Sequence, residues 1–255
     1  MPHPSFSLYE LNVLASGGVV KKADLADNGA VSPEKLGAMV SDKTRILWLC
    51  NPNNPTGGMY TEAEQKALIE AVPDSCLIVI DEAYFEYAKD REDYPDSLAL
   101  LKEKENVLIL RTFSKIYGLA GLRIGYGIAP AALISEMEKV RPPFNVCAPA
   151  QAAAIAALDD ADFVRRSLSE NAENKAFLEQ KFTEMGLSYL ESATNFIAVD
   201  TGRDAKTVFE KLLAKGYIVK GGHVLGLPGY LRVTIGTRSE CEGFCIALAE
   251  VLAEL

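Results

Sequence analysis

Three short, uninterrupted apolar runs dominate the first half of the sequence, at residues 46–49 (ILWL), 77–80 (LIVI) and 107–110 (VLIL). Apolar runs without alternation are typical of strands that are buried on both faces of a parallel sheet. Two helix candidates separate the runs: residues 61–71, which begin with the N-cap residue Thr61 and an acidic first turn, and residues 97–105. Strands that alternate with helices predict right-handed crossovers and a mainly parallel sheet, so we expect an α/β fold.

The sequence changes character after residues 141–145 (RPPFN), where two prolines interrupt the pattern. The remainder predicts an α+β unit with a small sheet of its own. Its helices are predicted at residues 149–158, 161–185, 205–215 and 239–255, and its strands at 196–199, 217–220 and 230–235. We therefore predict a large domain at residues 1–150 and a small domain at residues 151–255.

The charge of the chain excludes several classes of protein. Its 255 residues include 26 Lys and Arg against 35 Asp and Glu, which gives a net charge of −9. Nucleic acid binds to clustered Lys and Arg, so an acidic chain with no basic run is not expected to bind it.

The longest nearly continuous apolar stretch, residues 148–158, is too short to span a bilayer, and the N-terminus has no signal-peptide pattern. We expect a soluble, cytoplasmic protein that binds neither nucleic acid nor a membrane.

The cysteines and histidines do not form a recognisable site. Five cysteines without a CxxC pair do not predict a disulfide framework. Cys241 and Cys245, four residues apart, are expected to be small apolar residues on one helix face. His3 and His223 have no companions at ligand spacing, so we expect neither a metal site nor a histidine-based triad.

A polar cluster follows each of the three apolar runs. Residues 50–58 (CNPNNPTGG) contain Asn54, residues 81–84 (DEAY) contain Asp81 and Tyr84, and Ser114-Lys115 precede Arg123. In an open α/β sheet, ligands bind outside the carboxyl ends of the strands. The three clusters are therefore expected to converge on one edge of the sheet.

These residue types meet the chemical demands of pyridoxal 5′-phosphate. A lysine can form a Schiff base, an aspartate can pair with a protonated ring nitrogen, and tyrosine and asparagine can bind a phenolate-like oxygen. Threonine, serine and arginine suit a phosphate. Each feature alone has another interpretation: a tight turn at the asparagines, a cap at Asp81, a solvated lysine or a surface ion pair of Arg123. Their order at successive strand ends favours the cofactor site.

The motifs resemble those of a known family. Asn54-Pro55-Thr56-Gly57, Asp81-x-x-Tyr84 and Ser114-Lys115 with Arg123 are similar to fold-type I pyridoxal-phosphate aminotransferases. Residues 5–9 (SFSLY), 50–57 (CNPNNPTG) and 111–123 (RTFSKIYGLAGLR) resemble the histidinol-phosphate aminotransferases within that family. The resemblance runs from Pro4 to the C-terminal helix and implies a large PLP-binding domain followed by a small one.

The resemblance implies a role for eight residues toward the cofactor. Lys115 would hold the cofactor covalently and move the proton during catalysis. The other seven would bind it without a covalent bond: Asp81 at the ring nitrogen, Tyr84 and Asn54 at the 3′ oxygen, Thr112, Ser114 and Arg123 at the phosphate, and Phe6 by stacking on the ring.

Three residues are implied for the substrate. Residues 230–237 (YLRVTIGT) resemble the substrate-arginine strand of the family, so Arg232 would bind a carboxylate or phosphate of the substrate. Asn54 is expected to contact the substrate as well as the cofactor. Lys220 stands where family members usually carry a second arginine for the substrate phosphate. A lysine is a point charge without the planar fork of arginine, so this position is a departure from the family pattern.

The expected activity is amino-group exchange between histidinol phosphate and 2-oxoglutarate in histidine biosynthesis, carried out by a homodimer. Two alternatives share the same cofactor residues: an aromatic amino-acid aminotransferase and a threonine-phosphate decarboxylase. Family chains begin well upstream of Met1, with segments that complete the cofactor site. The sequence is therefore also consistent with a truncated member, a fragment, half of a split protein, or a catalytically inactive binding or assembly remnant.

Overall fold

The computed structural model describes all residues from Met1 to Leu255 and contains nine strands and ten α-helices. The strands are β1 (Pro2–His3), β2 (Ala23–Asp24), β3 (Ile46–Cys50), β4 (Leu77–Asp81), β5 (Val107–Thr112), β6 (Gly125–Ile128), β7 (Phe196–Asp200), β8 (Lys220–Gly221) and β9 (Tyr230–Thr234). The helices are α1 (Ser7–Ala15), α2 (Pro33–Gly37), α3 (Glu62–Ala71), α4 (Phe85–Ala88), α5 (Ser97–Leu100), α6 (Ala131–Glu138), α7 (Ala148–Asp159), α8 (Ala161–Glu184), α9 (Ala205–Ala214) and α10 (Arg238–Ala253).

The three apolar runs form the first three strands of a four-stranded sheet with the order β3-β4-β5-β6. β3, β4 and β5 are parallel, which confirms the α/β class and the mainly parallel sheet. The register pairs Asp81 with Cys50 on one side and with Leu110 on the other, so the polar segments after these strands begin side by side. β6 runs antiparallel to β5. The sequence pattern does not predict β6, because two of its four residues are glycines, which are depleted in strands.

The core of this sheet lies between its strands and the helices α2 and α3. Leu49, Ile78, Ile80 and Ile109 are fully buried there. Removing each such side chain from water stabilises the fold by about 1.5–3 kcal/mol. This packing holds the strand ends rigidly in place beneath the polar clusters.

The helices that connect these strands agree in part with the sequence prediction. Helix α3 begins at the predicted N-cap with a complete capping box, in which the Thr61 amide donates to Glu64 Oε2 at 2.7 Å and the Glu64 amide donates to Thr61 Oγ1 at 3.3 Å. Helix α5 ends at Leu100, not at residue 105. The residues 102–105 (KEKE) have no apolar side chain to pack on the sheet, so the helix ends in turns.

The second half of the chain builds a separate antiparallel sheet with the order β7-β9-β8. Helices α8, α9 and α10 pack on it around an apolar core that includes both Cys241 and Cys245, as predicted for these cysteines. The prediction of a strand at residues 217–220 is wrong except at Lys220, which belongs to β8. The Tyr217 amide donates to Leu212 O at the end of α9, so the chain there still closes the helix and does not pair with a strand. The predicted domain boundary near residue 150 falls in the first turn of α7 and stays a prediction.

Four elements precede β3 and are not predicted from the pattern. β1 and β2 form a short parallel pair, and α1 and α2 follow them in turn along the chain. Helix α1 exposes Leu8, Leu11 and Leu14 and buries only Tyr9, so its apolar residues do not mark one buried face. None of the ten helices has both the length and the hydropathy that crossing a bilayer requires.

A buried ion pair joins the carboxyl ends of β4 and β5. Arg111 Nε and Nη2 lie 2.9 and 2.8 Å from Glu82 Oε2. The guanidinium also lies 3.5 Å from the centroid of the Phe85 ring. Because Asp81 precedes Glu82 and Thr112 follows Arg111, the pair ties together two strand ends that carry predicted site residues.

We expect the substitution Arg111→Leu to destabilise the fold by about 3–5 kcal/mol, because it leaves the Glu82 carboxylate buried without its partner. Urea denaturation monitored by circular dichroism measures this change. The matched control is Arg165→Leu, which removes an exposed ion pair with Asp162 and is expected to leave the midpoint unchanged. Equal midpoints for both variants would show that the pair does not hold the strand ends.

Candidate active site

Four of the predicted site residues lie at the boundary between the two sheets. Asn54 follows β3, Asp81 ends β4, Lys115 follows β5, and Arg232 lies on β9 of the second sheet. Arg232 Nη1 donates a hydrogen bond of 2.5 Å to Asn54 Oδ1 across this boundary. Polar groups that are 178 residues apart in the chain therefore meet at one place.

Lys115 lies beside Tyr84 at this boundary. Its amine is half-buried and sits 5.0 Å from the centroid of the Tyr84 ring. Burial lowers the pKa of Lys115, and the positive charges of Arg232 and Arg123 lower it further, whereas Asp81 opposes the change. A lysine with a lowered pKa has more free amine at neutral pH, which is the form that attacks a carbonyl group.

Asp81 presents a partly buried carboxylate at the end of β4. Its Oδ2 accepts a hydrogen bond of 2.5 Å from the Tyr9 hydroxyl, and its Oδ1 accepts one of 3.0 Å from the Ala83 amide. Burial raises the pKa of Asp81, whereas the Tyr9 hydroxyl, the Ala83 amide and Lys115 act in the opposite direction. Each oxygen keeps a lone pair that can accept another donor.

Tyr84 lies at the same boundary and contacts the second half of the protein. It is the N-cap residue of α4 and is almost completely buried. Its ring meets Phe196 of β7 edge to face, with centroids 5.3 Å apart. Burial raises the pKa of the Tyr84 hydroxyl, so this group stays neutral and can donate a hydrogen bond.

Arg232 has unused hydrogen-bonding capacity. Its guanidinium carbon lies 4.9 Å from the centroid of the Phe196 ring, and its Nε is buried without a partner in the protein. Lys220 stands directly opposite Arg232 in the antiparallel register of β8 and β9. Residues that are paired in this way point to the same face of a sheet, so two cations lie on the same face.

The residues expected at a phosphate are only partly drawn together. Thr112 and Ser114 are neighbours, with the Ser114 amide donating to Thr112 Oγ1 at 3.0 Å. Arg123 lies close enough to lower the pKa of Lys115, but its Nη1 donates to the Ala120 carbonyl of its own loop at 2.6 Å. Its left-handed backbone, with a φ of 52°, follows directly on the 3₁₀ turn Ala120–Leu122.

Phe6 is the N-cap residue of α1 and is 38% exposed. Its ring meets the Tyr9 ring edge to face, with centroids 5.5 Å apart. Phe6, which the family resemblance assigns to ring stacking, is therefore in contact with Tyr9, which donates a hydrogen bond to Asp81.

Two site residues are missed by the sequence reasoning. Tyr9 binds Asp81, and its spacing of three residues from Phe6 on one helix is the only local signal for it. Asn53 is fully buried and ties the N-terminal segment to the asparagine turn, since its Nδ2 donates to Pro4 O at 3.1 Å and to Thr56 Oγ1 at 2.9 Å. Nothing in the sequence distinguishes Asn53 from Asn54, because the two are adjacent and identical.

Gly57 allows the two halves of the protein to approach each other closely. Its φ is +84°, and a Cβ there would overlap the side chain of Ser192. The Ala193 amide also donates to Gly57 O at 2.8 Å. A side chain at this position would both strain the backbone and push the second half away from the asparagine turn.

We expect Arg232→Gln to raise the pKa of Lys115, because it removes a positive charge that lowers this pKa. The amine is then more protonated at pH 8, so its labelling by an amine-reactive reagent slows by about two- to fivefold. Peptide mass spectrometry across a pH series measures the rate at Lys115. Lys220→Gln is the control, because Lys220 is not among the charges that shift the Lys115 pKa. Equal labelling rates at Lys115 in the parent, Arg232→Gln and Lys220→Gln would contradict the prediction.

Comparisons with known proteins show the family of this chain. The family model described as aminotransferase class I and II matches residues 1–248. Histidinol-phosphate aminotransferase 2 of Carboxydothermus hydrogenoformans is 44% identical over 252 residues, which are 99% of this chain and 69% of that protein. The histidinol-phosphate aminotransferase of Bacillus velezensis is 46% identical over 252 residues, 98% of this chain and 69% of that protein.

A solved structure shares the fold as well. The crystal structure of histidinol-phosphate aminotransferase from Sinorhizobium meliloti in complex with pyridoxal-5′-phosphate superposes with a TM-score of 0.91 at 32% identity, and the match covers 99% of this chain and 70% of that one. Because the family model matches almost the whole chain and the relatives are this similar in sequence, this chain belongs to the aminotransferase class I and II family.

Proposed function

We propose that this chain is a pyridoxal-phosphate-dependent aminotransferase that exchanges an amino group between histidinol phosphate and 2-oxoglutarate. The observation that carries the proposal is the position of Lys115. Its half-buried amine lies against the Tyr84 ring, and the charges of Asp81, Arg123 and Arg232 act on its pKa. The names of the relatives, histidinol-phosphate aminotransferases at 44% and 46% identity, support the choice of substrate.

The residues present fit pyridoxal 5′-phosphate. Asp81 offers free lone pairs to a protonated ring nitrogen, and the neutral hydroxyl of Tyr84 offers a donor for a phenolate-like oxygen. The hydroxyls of Thr112 and Ser114 and the charge of Arg123 suit a phosphate. When bound, the cofactor supplies an electron sink for the carbon that loses its proton.

Lys115 performs two tasks in this proposal. Its Nζ would hold the cofactor covalently, which the lowered pKa favours because the attacking form is the free amine. When the substrate amine takes that place, the freed Nζ would be the base that accepts the proton from the substrate Cα and gives it back on the cofactor side. General acid–base catalysis of this kind contributes about 10²- to 10⁴-fold to the rate.

Arg232 and Lys220 are proposed to hold the acidic end of the substrate. The buried Nε of Arg232 has no partner in the protein, and a planar guanidinium can bind a carboxylate or a phosphate through two parallel hydrogen bonds. Lys220 adds a second positive charge on the same face of the sheet. A pair of cations suits the dianionic phosphate of histidinol phosphate better than the single charge of a carboxylate.

Two other activities use the same cofactor residues: transamination of aromatic amino acids and decarboxylation of threonine phosphate. A catalytically inactive binding or assembly remnant is the remaining alternative, and the complete set of Lys115, Asp81, Tyr84, Asn54 and Arg232 speaks against it. The homodimer, the cytoplasmic location and the individual residue roles stay predictions.

We expect Lys115→Ala to abolish the yellow colour that the parent protein gains when it is titrated with pyridoxal 5′-phosphate. Transamination is expected to fall by at least about 10²- to 10⁴-fold, because both the covalent bond and the proton carrier are lost. Absorbance spectroscopy and a coupled glutamate assay measure the two effects. Lys139→Ala, which removes an exposed lysine on the surface, is the control and should behave as the parent. Parental colour and rate in Lys115→Ala would refute the proposed mechanism, and a parent that turns yellow without transferring an amino group would favour the inactive remnant.

The substrate is tested by steady-state rates with histidinol phosphate, phenylalanine and threonine phosphate. We expect histidinol phosphate to give the highest kcat/KM. Lys220→Gln should raise the KM for histidinol phosphate by about tenfold and leave the kinetics with phenylalanine unchanged, since only the phosphate needs the second cation. The control Lys206→Gln removes an exposed lysine on α9. Equal losses with both donors would show that Lys220 does not bind the phosphate.

A further inference from the structure

Tyr9 is an unusual residue of its helix. Helix α1 lies on the surface, and Tyr9 is its only buried side chain, with 3% of its area exposed. The other large apolar residues of the helix, Leu8, Leu11 and Leu14, remain about half exposed. The helix is therefore attached to the sheet mainly through one phenol side chain.

The contacts of Tyr9 all lead toward the cofactor site. Its ring stacks on Trp48 of β3, with centroids 4.4 Å apart and planes 15° from parallel. Its edge-to-face contact with Phe6 lies within the first turn of the same helix. Its hydroxyl donates to Asp81 Oδ2 at 2.5 Å. One turn of helix thus carries both the expected ring-stacking aromatic and the donor to the expected ring-nitrogen partner.

The direction of this hydrogen bond is fixed by the surroundings. Burial raises the pKa of the Tyr9 hydroxyl well above 10, and the nearby Cys50 and Asp81 raise it further, so the hydroxyl keeps its proton and remains the donor. A donor to a carboxylate stabilises the charged form of that carboxylate. Tyr9 is the only side chain that donates a hydrogen bond to Asp81; the other donor is the Ala83 amide.

Asp81 needs this help because its environment disfavours charge. The titratable or charged groups that face it are Tyr9 on α1, Cys50 on β3, Tyr84 at the start of α4 and Lys115 after β5. Burial raises the pKa of Cys50 to about 12, so this thiol is neutral and offers no compensating charge. Of the four, only Lys115 carries a compensating positive charge, and its amine is half-buried and has a lowered pKa itself.

We infer that Tyr9 is a positioning residue for the cofactor: its hydroxyl holds the Asp81 carboxylate ionised and in one orientation, so that Asp81 can keep a protonated pyridine nitrogen bound. The inference rests on the proposed function and adds to it a residue that binds neither substrate nor cofactor. It also explains why α1 is attached through Tyr9: the stacking position of Phe6 and the charge of Asp81 are set by the same helical turn.

The test compares Tyr9→Phe with the parent in two measurements. The first needs no cofactor: carbon-13 NMR of aspartate-labelled protein follows the titration of the Asp81 carboxyl, assigned by its loss in Asp81→Asn. We expect its titration midpoint to move to higher pH in Tyr9→Phe. The second is binding of pyridoxal 5′-phosphate, followed by fluorescence of Trp48, the single tryptophan. We expect an affinity about tenfold lower, the value typical of losing one hydrogen bond to a charged group.

The matched control is Tyr60→Phe. Tyr60 is buried beneath the same sheet, but its hydroxyl has no partner, so its removal should change neither measurement. A second comparison separates positioning from a general structural effect: in an Asp81→Asn background, Tyr9→Phe should weaken cofactor binding by less than about twofold, since the charge that Tyr9 stabilises is gone. Circular dichroism establishes that each variant is folded, and Tyr9→Phe keeps the ring that stacks on Trp48.

The outcomes distinguish this inference from the proposed function. An unchanged Asp81 titration in Tyr9→Phe overturns the inference, whether or not the parent is an aminotransferase. An equal loss of affinity in the parent background and in the Asp81→Asn background also overturns it, because Tyr9 would then act without the carboxylate. If Tyr9→Phe shifts the Asp81 titration but the parent neither binds the cofactor nor transaminates, the proposed function is refuted. The role of Tyr9 toward a pyridine nitrogen is then refuted with it.

Discussion

The partial burial of one carboxylate at the end of a parallel strand is the constraint on which the rest of the site depends. Asp81 is held among β3, β4 and β5, where a charged group is costly unless it is hydrogen-bonded. Its neighbours meet this demand from three directions: a phenol from α1, an amide from its own turn and an amine from the segment after β5. The polar cluster is stable because the apolar core beneath it keeps these donors in place.

The second constraint is the close approach of the two sheets. The contact between Tyr84 and Phe196, the hydrogen bond from Arg232 to Asn54 and the glycine at position 57 all lie along the same boundary. Arg232 brings a positive charge toward Lys115 and lowers its pKa. The small sheet therefore changes the chemistry of a lysine that belongs to the large one, and the candidate site draws on both halves of the chain.

Much of the fold follows from local patterns. The three continuous apolar runs predicted three parallel strands because a strand covered on both faces has no polar side to show. Helix α3 was predictable from its cap, since Thr61 and Glu64 satisfy each other within one turn. Strand β6 and helix α1 were not predictable from local patterns. Glycines are depleted in strands, yet β6 contains them, and the leucines of α1 are exposed to solvent instead of marking a buried helix face. Tertiary packing forms both elements despite these signals.

The sequence by itself determined the class of the fold, the order of the polar clusters and the residue types that can hold pyridoxal phosphate, because strand and turn signals are local and the family motifs are contiguous. Only the tertiary structure decided which of these groups touch. Tyr9 and Asp81 are 72 residues apart, and Arg232 and Asn54 are 178 residues apart. The ionisation of a carboxyl or an amine depends on burial and on charges a few ångströms away, and those distances exist only in the folded chain.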